Sequence, residues 1–171
     1  PAIVAAAAED IFEGQPREEF HAPVLQDGRI AALAAATLAA LLDDRTAPIG
    51  RDERLLLLLA AVLREQAPKR DSIAAPSIGR VRERLDSDPA SAITLDELAA
   101  ESGIGRFRLV RDFARLTGLT PHAYLLQRRT DLARRLIARG TSLAEAAIDA
   151  GFADQSHMTR NFTRRYGYTP G

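Results

Sequence analysis

Arg111 and Arg160 stand at matching places in two stretches of sequence that repeat one pattern. A guanidinium on an exposed helix face can donate to guanine O6 and N7 at once, and a glutamine such as Gln155 can do the same for adenine N6 and N7. Around this pair lie further arginines, Arg106, Arg108, Arg115 and Arg164. Their chemistry suits phosphate oxygens, which fix a protein on a duplex without specifying sequence. The facing follows from helical periodicity. With Leu109, Phe113 and Leu116 taken as the buried stripe and steps of about 100° per residue, the opposite face holds Phe107, Val110, Arg111 and Ala114. In the second stretch Met158 and Phe162 mark the core side. Ser156, Thr159 and Arg160 then face outward, with Gln155 and His157 beside them. The competing reading of any of these is a solvated surface residue, and for Arg134 and Arg135 that plainer reading is preferred.

The repeat positions these side chains. Its first copy runs Leu95, Leu98, Ala99, Gly103, Ile104, then Leu109, Arg111, Phe113, and closes on Gly118-Leu119-Thr120-Pro121. Its second runs Leu143, Ala146, Ala147, Gly151, Phe152, then Met158, Arg160, Phe162, and closes on Gly167-Tyr168-Thr169-Pro170. The offset is 48 residues through the turn and 49 beyond it, so the second turn carries one extra residue. Duplication at fixed spacing signals duplicated architecture. The unit duplicated is a helix–turn–helix, which places its second helix in a DNA major groove.

Local signals delimit the helices. Thr94 with Glu97, and Ser142 with Glu145, are capping boxes. Gly103, Gly118, Gly140 and Gly151 supply stops, and Thr120-Pro121 opens a helix expected to reach Arg139. That helix, roughly 28 Å long at about 1.5 Å per residue, would join the two units. Successive major grooves on one face of B-DNA lie about 34–36 Å apart, so the spacer predicts a bipartite site with some bending. A short amphipathic helix on Ile78, Val81 and Leu85 precedes the first unit.

Charge divides the chain. Residues 1–77 carry 8 basic and 12 acidic side chains, net −4, whereas residues 78–171 carry 15 and 11, net +4. The basic half is the expected DNA-binding domain. The acidic half reads as a small helical hairpin domain. It comprises a helix from Ala2 to Phe12, one capped by Asp27 and ending at Asp43-Asp44, and one from Arg51 to Gln66; Pro68 to Pro76 reads as a linker. Leu55 to Leu59 is apolar all round, so more than one face should be covered. It packs within its own domain, or forms a homodimer seam, or docks on an absent domain.

From Ile78 to Gly171 the sequence resembles the DNA-binding domain of the AraC/XylS family of bacterial transcription regulators. The resemblance rests on Leu95-x-x-Leu98-Ala99-x-x-x-Gly103, Leu109-x-Arg111-x-Phe113 and Gly118-x-x-Pro121-x-x-Tyr124-Leu125. It continues through Arg129-x-x-x-Ala133-x-x-Leu136, Gly151-Phe152-x-Asp154-Gln155-Ser156-His157-Met158-x-Arg160-x-Phe162, and Gly167-Tyr168-Thr169-Pro170. It implies an all-α fold of two helix–turn–helix units on a long linker helix, with double-stranded DNA and RNA polymerase as partners. The acidic half resembles the helical tail that follows an amino-terminal effector-binding domain, which the chain lacks. Gly105 replaces the usual serine N-cap, and Val110 takes a groove-facing position that is often polar, which turns expected readout toward thymine methyls.

Other classes are disfavoured. Cysteine is absent, which removes disulfides, thiolate zinc sites and cysteine nucleophiles, including the alkyl-transfer repair chemistry joined to similar domains elsewhere. His21, His122 and His157 are scattered, with no ligand spacing. No phosphate loop, dinucleotide fingerprint or Gly-x-Ser-x-Gly occurs. The expectation is a non-enzymatic, cytoplasmic DNA-binding regulator without metal or cofactor. The alternative is a helical interaction module whose DNA contacts are secondary.

Overall fold

The computed structural model describes residues 28–43, 45–63 and 75–171. The expected Ala2–Phe12 helix, the Asp27 cap and most of the Pro68–Pro76 linker fall outside those residues. The described part is all-α, with eight helices and no strand. In chain order they are α1 (Gly28–Leu42), α2 (Pro48–Leu63), α3 (Ala75–Ser87), α4 (Leu95–Ser102), α5 (Arg106–Thr117), α6 (Pro121–Ala138), α7 (Leu143–Asp149) and α8 (Gln155–Tyr166). Two boundaries differ from expectation. Pro48 enters α2, since proline is tolerated in a first helical turn, and Pro76 likewise lies in the first turn of α3 instead of ending a linker.

The duplication is visible in the caps. Thr94 and Ser142 each accept the backbone N–H three residues on, and Glu97 and Glu145 each reach back, so both capping boxes form. α5 and α8 have the same length, and both end on a left-handed glycine, Gly118 (φ 76°) and Gly167 (φ 80°). The extra residue of the second turn falls at Ala153. Gly103 leads to its N-cap, Gly105, through Ile104 alone, while Gly151 leads to Asp154 through Phe152 and Ala153.

Each helix pair is too small to bury its own stripe, so both share α6. The first core gathers Ile78, Val81 and Leu85 of α3, Leu95 and Leu98 of α4, Leu109 and Phe113 of α5, and Tyr124 and Leu125 of α6. The second is built from small residues, Ala133, Ala146, Ala147 and Ala150, sealed by Phe152 and Met158. Charged contacts reinforce the join from outside. Arg128 of α6 pairs with Asp86 of α3, and Asp131 of α6 takes Arg165 and the Tyr166 hydroxyl of α8.

The α1–α2 hairpin is not packed apart. Ile49 and Leu56 of α2 belong to the first core, and α2 touches α4, α5 and α6. Of the apolar run, Leu56 is buried and Leu55, Leu57, Leu58 and Leu59 are half-buried. The exposed leucines lie instead on α1, at Leu38, Leu41 and Leu42.

Arg129, near the middle of α6, is 5% exposed and donates to the carbonyls of Pro89 (2.8 Å) and Ser91 (3.0 Å). Above it the turn of the second unit closes on the loop of the first. A Cβ added at Gly151 (φ +81°) would lie 2.6 Å from the Ala90 carbonyl oxygen and 3.0 Å from the Arg129 Nε. Gly103 (φ +70°) has open space at the same point. Gly103→Ala should therefore cost only the left-handed backbone term, about 1–2 kcal/mol. Gly151→Ala should cost distinctly more, because a backbone carbonyl must also move. Urea unfolding of the two variants measures the difference, and equal costs would contradict the close approach at Gly151.

Candidate nucleic-acid interface

The second recognition helix starts from a strong cap. The Asp154 carboxylate accepts the His157 N–H at 2.6 Å, and Met158 and Phe162 are buried beneath it. This leaves Gln155, Ser156, Arg160 and Arg164 exposed and Thr159 half-buried. His157 is half-buried, its ring edge-on to Phe152 at 5.3 Å. Burial foremost, with the Arg160 charge next, lowers its pKa below the ordinary histidine value, so the imidazole is neutral at pH 7.

The first recognition helix starts from Gly105, which offers no side-chain cap. Arg106 instead reaches Asp96 of α4 at 3.0 Å. Asp112, fully buried, holds two guanidinia by their Nε atoms, Arg111 at 3.0 Å and Arg108 at 3.5 Å. Arg111 also lies over the Phe107 ring, 5.9 Å from its centroid. A carboxylate fixed beneath a guanidinium restricts its rotamers before any ligand arrives, which lowers the entropy cost of using it. At the matching place α8 carries Asn161, which donates to the His157 carbonyl. Arg160 thus has no carboxylate in that position, and the two units are not electrostatic copies.

Two expected placements are corrected. Val110 is 2% exposed and belongs to the first core, so it does not face a groove as the molecule is arranged here. Leu116, expected in the buried stripe, is 46% exposed. Both follow from one cause: α2 and α6 pack on α5, and the buried arc extends to the Val110 flank. Of the remaining candidates, Arg106, Phe107, Arg108 and Arg111 are half-buried and Arg115 is exposed, all on α5. They do not meet the α8 set, because α5 and α8 make no contact and α6 separates them.

Several charged groups near these helices had no local signal in the sequence. Glu53 of α2 is 5% exposed, and its carboxylate accepts the His122 N–H at 2.8 Å and a hydrogen bond from Thr120. It thereby joins the Thr120 hydroxyl in satisfying the open donors of the α6 N-terminus. Asp43 lies within electrostatic reach of Arg160 and His157, Arg45 of Asp154, and Asp52 of Arg106. Only contacts that span dozens of residues could have revealed them. Among the described residues no cluster of potential metal ligands occurs, and no helix is long and apolar enough to cross a membrane.

Comparison with known proteins matches this geometry. A family model described as a helix-turn-helix domain matches residues 98–171. An uncharacterised HTH-type transcriptional regulator of Bacillus subtilis is 30% identical over 122 residues, covering 69% of this chain and 44% of that protein. The HTH-type transcriptional regulator ExsA of Pseudomonas aeruginosa is 30% identical over 123 residues, with the same coverage, 69% and 44%. The chain thus spans less than half the length of these relatives. A crystal structure of a probable AraC family transcriptional regulator from Rhodopseudomonas palustris superposes with a TM-score of 0.53 at 26% identity, covering 56% of this chain and 91% of that one.

The α2–α6 contact makes stability depend on pH. Burial pulls the His122 pKa from 6.5 to about 4. The unfolded chain therefore takes up this proton first, and stability falls as pH drops from 6.5 toward 4. His157, also lowered, acts in the same sense, whereas Glu53, raised by burial, opposes them as it protonates early. His122→Asn should flatten this acid limb in urea midpoints compared between about pH 7 and about pH 5. An unchanged slope would contradict a neutral His122.

Proposed function

The chain belongs, through residues 98–171, to the AraC family of helix-turn-helix transcriptional regulators, and from that premise we propose that it reads a bipartite DNA site with α5 and α8. The observation that carries this reading is the pair of equal-length helices, closed by matching glycine stops, at either end of one helix. α6 has 18 residues, about 27 Å of rigid spacer, which suits half-elements roughly one helical turn apart. Arg160 contacts base edges in one half-element, with Gln155, Ser156, His157 and Thr159 beside it. Arg111 contacts the other from its seat on Asp112, with Phe107 beside it. Arg106, Arg108, Arg115 and Arg164 hold phosphates. Val110, buried, is left out of the set.

The protein acts on this reading in the cytoplasm, without catalysis, with double-stranded DNA and RNA polymerase as partners. A second copy of the chain is the third partner. We assign the dimer contact to α1, where Leu38, Leu41 and Leu42 recur at helical spacing and are exposed. Sedimentation should show self-association at micromolar concentration that Leu38→Glu with Leu42→Glu abolishes; a parent chain that is already monomeric would remove this assignment.

Specifying and positioning residues separate by experiment. Arg160→Ala should cost about 1–3 kcal/mol on the best site and relax preference at one or two base pairs of one half-element. Arg111→Ala should relax the other half-element alone. Arg108→Ala should weaken all sequences alike and reduce the salt dependence by about one counterion. Affinities against single-base site variants at two salt concentrations decide the matter. Uniform weakening by all three substitutions would refute the base-reading roles.

A further inference from the structure

The side of α5 that carries Val110 is closed by part of the same chain. Stepping around the helix from Leu109 and Phe113, Val110 lies on the arc shared with Phe107, Arg111 and Ala114. Yet it is 2% exposed, in one cluster with Ile49 and Leu56 of α2. α2 brings more than apolar area to that face. Its residues Ile49, Asp52, Glu53 and Leu56 recur at helical spacing, and all of them address the basic half. Glu53 caps α6, and Asp52 lies within electrostatic reach of Arg106 at the start of α5. Gly50 sits so close to α6 that a Cβ there would come within 2.6 Å of the His122 ring.

The other end of the hairpin reaches the second recognition helix. The turn between α1 and α2 faces the start of α8 across a cleft of about 290 Å³, lined by Arg45, Pro48, Arg129, Gly151, Phe152 and His157. Asp43 in that turn lies within electrostatic reach of Arg160. One element of the chain therefore runs from the first turn of α5 to the first turns of α8.

Building on the DNA-reading assignment of α5 and α8, we propose that the α1–α2 hairpin is an intramolecular competitor of DNA. Docked as it is here, it covers the Val110 edge of the first recognition helix and sets its own turn against the start of the second. Both recognition helices enter their grooves together only when the hairpin leaves this seat. DNA affinity is then reduced by the fraction of molecules in which the hairpin is docked, and anything that draws the hairpin away raises it.

The test uses the full chain and a duplex recovered by selection with it. Gly50→Val drives a side chain into the His122 ring and should tighten binding by about tenfold in fluorescence anisotropy, if docking predominates by that factor. Adding His122→Ala restores the space and should return affinity toward that of the parent. Because the chain has no cysteine, Ile49→Cys places a single thiol in the buried contact. Its labelling by a maleimide should be slow in the free protein and accelerate when the duplex is added. Tight binding of the parent with Cys at position 49 still protected would overturn the competitor and leave the DNA reading intact. So would Gly50→Val binding no better than the parent. Failure of the parent and of every variant to bind DNA would overturn both.

Discussion

A buried guanidinium in the middle of α6 is the contact on which the rest of this molecule depends. Arg129 donates to the Pro89 and Ser91 carbonyls of the loop before α4, while the Gly151 turn of the second unit closes over its Nε. One side chain of the shared helix therefore holds the loop of the first unit at the place where the turn of the second closes on it. Removing a partner here would strand a buried charge or unpaired carbonyls, which is costly in a dry interior. The ion pairs of Asp86, Arg128, Asp131 and Arg165 lie nearer the surface and add rigidity more than net stability. The result is a body in which the angle between α5 and α8 is set by packing on α6.

Within that body the two recognition helices have diverged in their electrostatics. α5 has a bare glycine N-cap and two arginines seated on the buried Asp112 carboxylate. α8 has a charged N-cap and an exposed Arg160, with Asn161 where Asp112 would be. Duplication has kept the stops and the capping boxes, which are matters of folding. It has not kept the surroundings of the arginines, which are matters of recognition. On the proposed reading, two halves of one site met by unlike surfaces make an asymmetric site, and asymmetry gives the bound protein a direction on DNA.

Much of the fold was legible because its determinants are local. Capping boxes and left-handed glycines each act within a few positions, and each fell where the sequence put it. The errors came from contacts between distant segments. Leu116 fits the apolar stripe of α5 but is exposed, and Val110 lies off that stripe but is buried, because α2 and α6 decide which flank is covered. Glu53 carried no signal in the sequence. Its partner, the His122 N–H, lies 69 residues away, and no periodicity links them.

The central claim is that α6 fixes the two recognition helices at one separation, so that they read one bipartite site. A series of duplexes in which base pairs are inserted between the two half-elements tests it most directly. A rigid spacer predicts that every insertion weakens binding, and that adding about one full turn, roughly 10 base pairs, does not restore it, because α6 cannot lengthen. Tolerance of several inserted base pairs, or full recovery at one added turn, would show that the units move independently and would contradict the account.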